Sequence, residues 1–188
     1  SAGHARAAPA AASVELSAAG QAKRSIVLAR DASAEVRLLA TELAEGLKRI
    51  TGAEFAIVQG PAPGIVLGTD AEWPGKLPAP SAGRSPVLAR DDYLLRTESG
   101  RVWIVGRTLI GLRNALWDFF FRAGFRHYFP GPNWEIWPAV RDLSVTLDAF
   151  ETPAYYTRNL FVGGSQPALP RAAFSQWKIR IEWTRASN

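Results

Sequence analysis

No cysteine occurs anywhere in this chain, which excludes disulfides, thiolate metal sites and a cysteine nucleophile. Histidine is scarce, with only His4 and His127, so a histidine-based metal site lacks a second ligand. No apolar run approaches the ~18 residues needed to cross a bilayer, and no membrane partner is expected. Lys and Arg form no block that could track a phosphate backbone. The net charge of +5 comes largely from dispersed Arg, and no nucleic-acid partner is expected. Methionine is absent too, even at position 1. We therefore expect a native start that processing or excision has removed.

The chemical motifs that would announce an enzyme are missing as well. Gly106 to Gly111 lies between an apolar run and a helical pattern, where phosphate loops occur. It matches neither Gly-x-Gly-x-x-Gly nor Gly-Lys-Ser/Thr, so a tight strand-to-helix turn is the expectation. No Gly-x-Ser-x-Gly elbow supports a serine nucleophile. The adjacent acids Asp91 and Asp92 would point to opposite faces of a strand and cannot converge on one sugar. They read as a solvated strand entry, and Asp70 with Glu72 as members of a flexible loop. His127 reads as a hydrogen-bonded structural residue. Neither a metal nor a cofactor is expected.

What is present is patterned for a globular fold, with 47% hydrophobic and 21% charged residues. Residues 1–22 contain ten Ala and little alternation, and are expected to be disordered. A start of this kind is what remains after a cleaved signal peptide, so a secreted or periplasmic protein is expected. Ser25 to Ala29 predicts a strand. Asp31 and Ser33 then offer capping groups before Val36, Leu39, Leu43, Leu47 and Ile50, whose steps of three and four predict a helix ended by Gly52. Phe55 to Val58 and Ile65 to Leu67 predict two more strands. A Pro- and Gly-rich loop follows, then a hairpin whose Ser99-Gly100 turn needs a positive φ. Leu112, Ala115, Leu116, Phe119 and Ala123 predict the second helix, stopped by Gly124. Phe125 to Phe129 and Leu143 to Leu147 complete the strands.

Residues 23–150 thus form one domain of α/β (α+β) class, a mixed sheet with two helices packed on it. Residues 151–188 supply a strand at Tyr155 to Val162 and a helix from Pro170 to about Ala186. This pair reads as the first βα unit of an incomplete (β/α)8 barrel. Its helix has Phe174, Trp177, Ile181 and Trp183 to bury. Of the seven Trp, Trp134 and Trp137 lie in a Pro-bounded loop and Trp73 in the other long loop. Flat indoles in loops suit sugar stacking, but contacts between domains are the favoured reading.

The ordered set KRITG (Lys48 to Gly52), VLG (Val66 to Gly68), VWIVG (Val102 to Gly106) and GLRNALWDFFFRAGFRHYFPG (Gly111 to Gly131) resembles a known accessory domain. It is similar to the α/β domain that precedes the barrel in family 20 hexosaminidases and α-glucuronidases. The nearest likeness is to large bacterial barrel proteins of undefined activity. The resemblance covers residues 24–160. It implies a non-catalytic domain that packs on a barrel within the same protein, with the catalytic groups at the barrel's strand ends and carbohydrate as the parent's partner. In hexosaminidases the first barrel strand carries Pro-x-aromatic-x-x-Arg. Pro153, Tyr155, Tyr156 and Arg158 match it approximately, so the resemblance makes Arg158 a substrate contact; Trp134 and Trp137 are candidates from their loop position alone. The Asp that usually follows is replaced by Leu160 to Gly164, which departs from a standard hexosaminidase. Two other readings stand beside this one. The chain is a carbohydrate-binding module using its loop Trp, or an interaction domain that forms a homo-oligomer through the exposed C-terminal helix.

Overall fold

The computed structural model describes residues 11–153 and 171–181. A six-stranded mixed sheet carries the fold. Its parallel part comprises β3 (Ser25–Leu28), β4 (Ile57–Gln59), β5 (Gly64–Thr69) and β7 (Arg101–Gly106). β6 (Tyr93–Glu98) runs antiparallel to β7, and β11 (Asp148–Glu151) antiparallel to β6. The order across the sheet is β11-β6-β7-β5-β3-β4. The β6–β7 hairpin turns through Ser99 (φ 51°) and Gly100 (φ 73°), so the positive φ foreseen at Gly100 extends to the residue before it.

Helices α1 (Ala34–Thr51) and α3 (Leu109–Arg122) lie on one face, where Ile26, Leu28, Ile65, Leu67, Leu95 and Ile104 meet the stripe Val36, Leu39, Leu43, Leu47 and Ile50. Both helices begin as their sequences dictate. The Ser33 hydroxyl accepts the Val36 N–H at 3.2 Å, and Thr108 caps α3 by accepting the Ile110 N–H at 3.2 Å. Gly52, at φ 77°, ends α1 with its N–H on the Lys48 carbonyl. The opposite sheet face carries Val27, Val66, Leu94, Trp103 and Val105. No described helix lies there. A loop covers it through Leu77 and Trp73, the latter packing edge-on to Trp103 at 5.9 Å. A four-residue helix, α2 (Pro86–Ala89), closes that loop.

The expectation of disorder to residue 22 fails over its second half. β1 (Val14–Ala18) pairs antiparallel with β10 (Leu143–Val145), and β2 (Gln21–Ala22) pairs with β1. Val14 and Leu16 join the main core, and the buried Ser17 hydroxyl is satisfied by the Arg141 carbonyl and the Leu143 N–H. Its partner strand lies far along the chain, so no local pattern announced it. The strand foreseen at Tyr155 to Val162 lies outside the described residues. The helix foreseen after it is present as α4 (Arg171–Ile181).

Candidate functional site

Open α/β sheets bind ligands outside the carboxyl ends of their parallel strands. Here those ends are filled by the chain itself. A Cβ at Gly106 would lie 1.9 Å from the Leu112 backbone nitrogen, and one at Gly111 would lie 2.5 Å from the Asp92 carbonyl oxygen. The glycines therefore let the start of α3 touch β7 and the strand entry, leaving no gap for a phosphate. Beside them, the Glu72 carboxylate accepts the Ser33 N–H at 3.1 Å and the Thr69 N–H at 2.8 Å. An internal anion thus takes backbone donors at the mouth of α1 that a bound anion would otherwise use.

The acids of this edge are tied to arginines. Asp91 and Asp92 are buried, at 5% and 0% exposure, which corrects the expectation of a solvated entry. Asp92 meets Arg84 at 2.7 Å and Arg107 at 3.5 Å, and Asp91 meets Arg90 at 3.1 Å. Burial pushes the Asp92 carboxyl above its ordinary value, against the two arginines that pull it down. Arg84 also donates to the Pro153 carbonyl at 2.9 Å, fastening the chain just after β11 (Asp148–Glu151). Asp70 pairs with Arg107 at 3.3 Å. On α3, Asp118 accepts from the Tyr93 hydroxyl at 3.1 Å and from Arg122 at 2.9 Å. Burial raises both Asp118 and Tyr93. These residues are built as structural ion pairs. Among the described residues, no three His, Asp or Glu side chains gather as a metal site would require.

A different surface is built for contact. It lies on the small hairpin of β8 (Arg126–His127) and β9 (Glu135–Ile136), joined through a 3₁₀ turn (Pro132–Trp134). The structure separates the two Trp that the sequence singled out there. Trp134 is 52% exposed, with Phe129 at a ring distance of 5.5 Å, and Tyr128 and Ile136 extend the exposed patch. Trp137 is turned inward. Its ring lies 4.3 Å from Phe125 and 5.5 Å from Phe120, Arg49 covers it at 4.3 Å, and its N–H donates to Glu135. It is therefore not free to stack on a sugar. Arg158 lies outside the described residues.

Helix α4 docks beside this patch. Trp177 is 7% exposed, donates to the His127 carbonyl at 3.2 Å and stacks on Phe129 at 6.3 Å. Arg180 bonds Glu135 and lies 4.4 Å from the Trp117 ring centroid. The exposed helix expected to drive oligomerisation thus buries its central Trp within the chain. Glu135 is the hub. Its carboxylate takes Arg180 on one oxygen and Arg49 with the Trp137 N–H on the other. Burial drives the Glu135 carboxyl up, yet the Trp137 hydrogen bond and the Arg180 charge outweigh it and hold the group below its ordinary value. His127, paired with Glu135 across the hairpin, has neither ring nitrogen in full hydrogen-bond geometry, while the Gly131 and Phe129 carbonyls still favour its charged form. Burial first and the Arg180 charge second push it below its ordinary value. Glu135 and Arg180 were not foreseen. The available signal was an acid set between two Trp in an otherwise apolar loop.

No family model matches the chain, and no curated protein matches it. Among solved structures, the chain is similar to a family GH115 4-O-methyl-α-glucuronidase with specificity for decorated arabinogalactans. The TM-score is 0.60 at 15% identity, over 90% of this chain and 25% of that one. A second similarity, to the N-acetyl-β-hexosaminidase of Streptomyces plicatus, has a TM-score of 0.38 at 21% identity, over 58% of this chain and 18% of that one. What the chain shares with the α-glucuronidase is the fold, and it spans about a quarter of that protein's length.

Proposed function

We propose that this chain is an accessory α/β domain of a larger carbohydrate-active protein, one that braces a catalytic barrel and leaves the chemistry to it. The observation that carries the reading is the match of nine-tenths of the chain to one quarter of a glycoside hydrolase. Two features of the site support it. The acids described above are each committed to arginines or, for Glu72, to backbone N–H groups, and the apolar surface of Tyr128, Phe129, Trp134 and Ile136 continues the contact that α4 already makes. In this reading Trp134 packs against the parent's next domain, residues 151–188 open the barrel and Arg158 reaches the sugar from its first strand. Export to the periplasm or the medium accompanies that role.

The 188-residue chain should hydrolyse none of a panel of nitrophenyl glycosides, α-glucuronides included. Turnover by purified chain would place catalysis inside it and overturn the assignment. Reading the gene past Asn188 is the stronger test. Alternating strand and helix patterns with paired acids are expected there, and an immediate stop codon refutes the proposal. The exposed Trp134–Phe129 pair favours a second reading, a carbohydrate-binding module. Oligosaccharides would then quench Trp emission, and Trp134→Ala would remove the response while Trp137→Ala altered stability instead.

A further inference from the structure

Helix α4 reaches the domain through two side chains one turn apart. Trp177 fills the space under Phe129 and bonds the His127 carbonyl, and Arg180 bonds Glu135. Both contacts converge on the single residue pair His127 and Glu135 of the β8–β9 hairpin. We propose that this dock is an acid-sensitive latch, in which protonation of His127 releases α4.

The physical basis is competition for one carboxylate. Glu135 faces His127 from β9 and already answers Arg180 from α4 and Arg49 from α1. A cationic His127 adds a third positive charge around the Glu135 carboxylate. Arg126, its neighbour on β8, is a further cation and brings no negative charge; its guanidinium donates to the Phe121 and Phe125 carbonyls at 2.7 Å each. Glu42 of α1 lies within reach of the Arg180 charge. Neither His127 ring nitrogen is in full hydrogen-bond geometry; the Glu135 charge and the Gly131 and Phe129 carbonyls favour the charged ring, but burial and the Arg180 charge outweigh them. Undocking relieves the strain twice, by removing Arg180 and by hydrating the imidazole.

The sign follows from linkage. Burial and Arg180 hold the docked His127 below its ordinary 6.5. Docking is therefore at full strength above pH 6.5 and weakens as the pH falls from there towards the lowered docked value. One linked proton raises the undocking constant by at most about tenfold per pH unit. Glu135, held below its ordinary 4.5, stays charged through this interval and adds its own loss only in stronger acid.

Because the chain has no native cysteine, spin labels can be placed cleanly at Leu38→Cys on α1 and Ala172→Cys on α4, both exposed sites. Electron-paramagnetic distance measurements should give one narrow distribution at pH 7.5. A broad component should grow between pH 6.5 and 5.0, with unchanged far-UV circular dichroism. His127→Gln should keep the narrow distribution and lose the pH response. Should that variant fail to fold, Arg180→Gln serves instead, and its pH response must shrink. A distribution constant from pH 7.5 to 5.0, a response that survives His127→Gln or persists undiminished in Arg180→Gln, or a loss of circular dichroism in step with the distances would each overturn the latch.

Discussion

Replacing Gly106 by Ala isolates one cause, steric exclusion at the junction of β7 and α3. The added methyl would lie 1.9 Å from the Leu112 nitrogen, 2.4 Å from the Leu112 Cα and 2.5 Å from the Gly111 carbonyl carbon. All three are backbone atoms of the first turn of α3, so no side chain can swing aside. The turn must move bodily, and with it the Thr108 cap and the fully buried Leu112. Overpacking costs about 1–3 kcal/mol and loss of a cap about 1 kcal/mol, so a total near 3 kcal/mol is expected. That is a large share of the 5–15 kcal/mol of a typical domain. At a urea m-value of about 2 kcal/mol/M the midpoint falls by roughly 1.5 M. Gly52→Ala provides the comparison. That position has φ 77° and no neighbour within 4 Å of an added Cβ, so it carries only the left-handed strain of about 1–2 kcal/mol. Urea unfolding followed by circular dichroism measures both. Should Gly106→Ala cost less than Gly52→Ala, the close-contact role of Gly106 is wrong. Were the loop instead a ligand cradle, the variant would fold normally and lose only binding.

Trp137→Ala should cost about 2–4 kcal/mol through lost packing on Phe120 and Phe125, and Trp134→Ala less than about 1 kcal/mol; equal losses in thermal melts would contradict their opposite orientations. Glu72→Ala should cost about 1–3 kcal/mol by leaving the Ser33 and Thr69 N–H groups without their acceptor, and a variant as stable as the parent would show that water replaces the carboxylate freely. Asp118 has a folded-state value raised above its ordinary 3.8 by burial, so between those values the folded chain binds more protons than the unfolded one and loses stability as the pH rises. Asp118→Asn lacks that loss. The stability difference measured by urea unfolding at pH 3.5 and pH 7 should therefore move in the variant's favour at the higher pH, and a shift in the opposite direction would refute the burial argument.

Residues close in sequence declared much of this fold. The spacing from Val36 to Ile50 and from Leu112 to Phe119 requires two helices with one apolar face each, and Ser33, Gly52 and Gly100 mark ends and turns through local backbone chemistry. Fold class follows from those elements, because two helices of that kind must cover a sheet. Within the aromatic loop, the sequence named Trp134 and Trp137 together without separating them. Alternation through β9 and the residue after it turns Glu135 and Trp137 inward and leaves Ile136 at 53% exposure, against simple hydropathy. That inversion is stable only because Arg49 and Arg180 arrive from α1 and α4 to meet the carboxylate.

By itself, then, the sequence determined the periodic helices, the hairpin, the glycine stops and the lack of any motif for phosphate, thiolate or serine chemistry. Each of these is set by dihedral preference or by which side chains share a face over a few residues. Tertiary structure alone decided that β1 pairs with β10, that Asp91 and Asp92 are buried beside arginines, and that α4 docks on the β8–β9 hairpin. Those outcomes depend on partners distant in the chain, and the free energy of a buried charge or strand edge is fixed by the partner it meets.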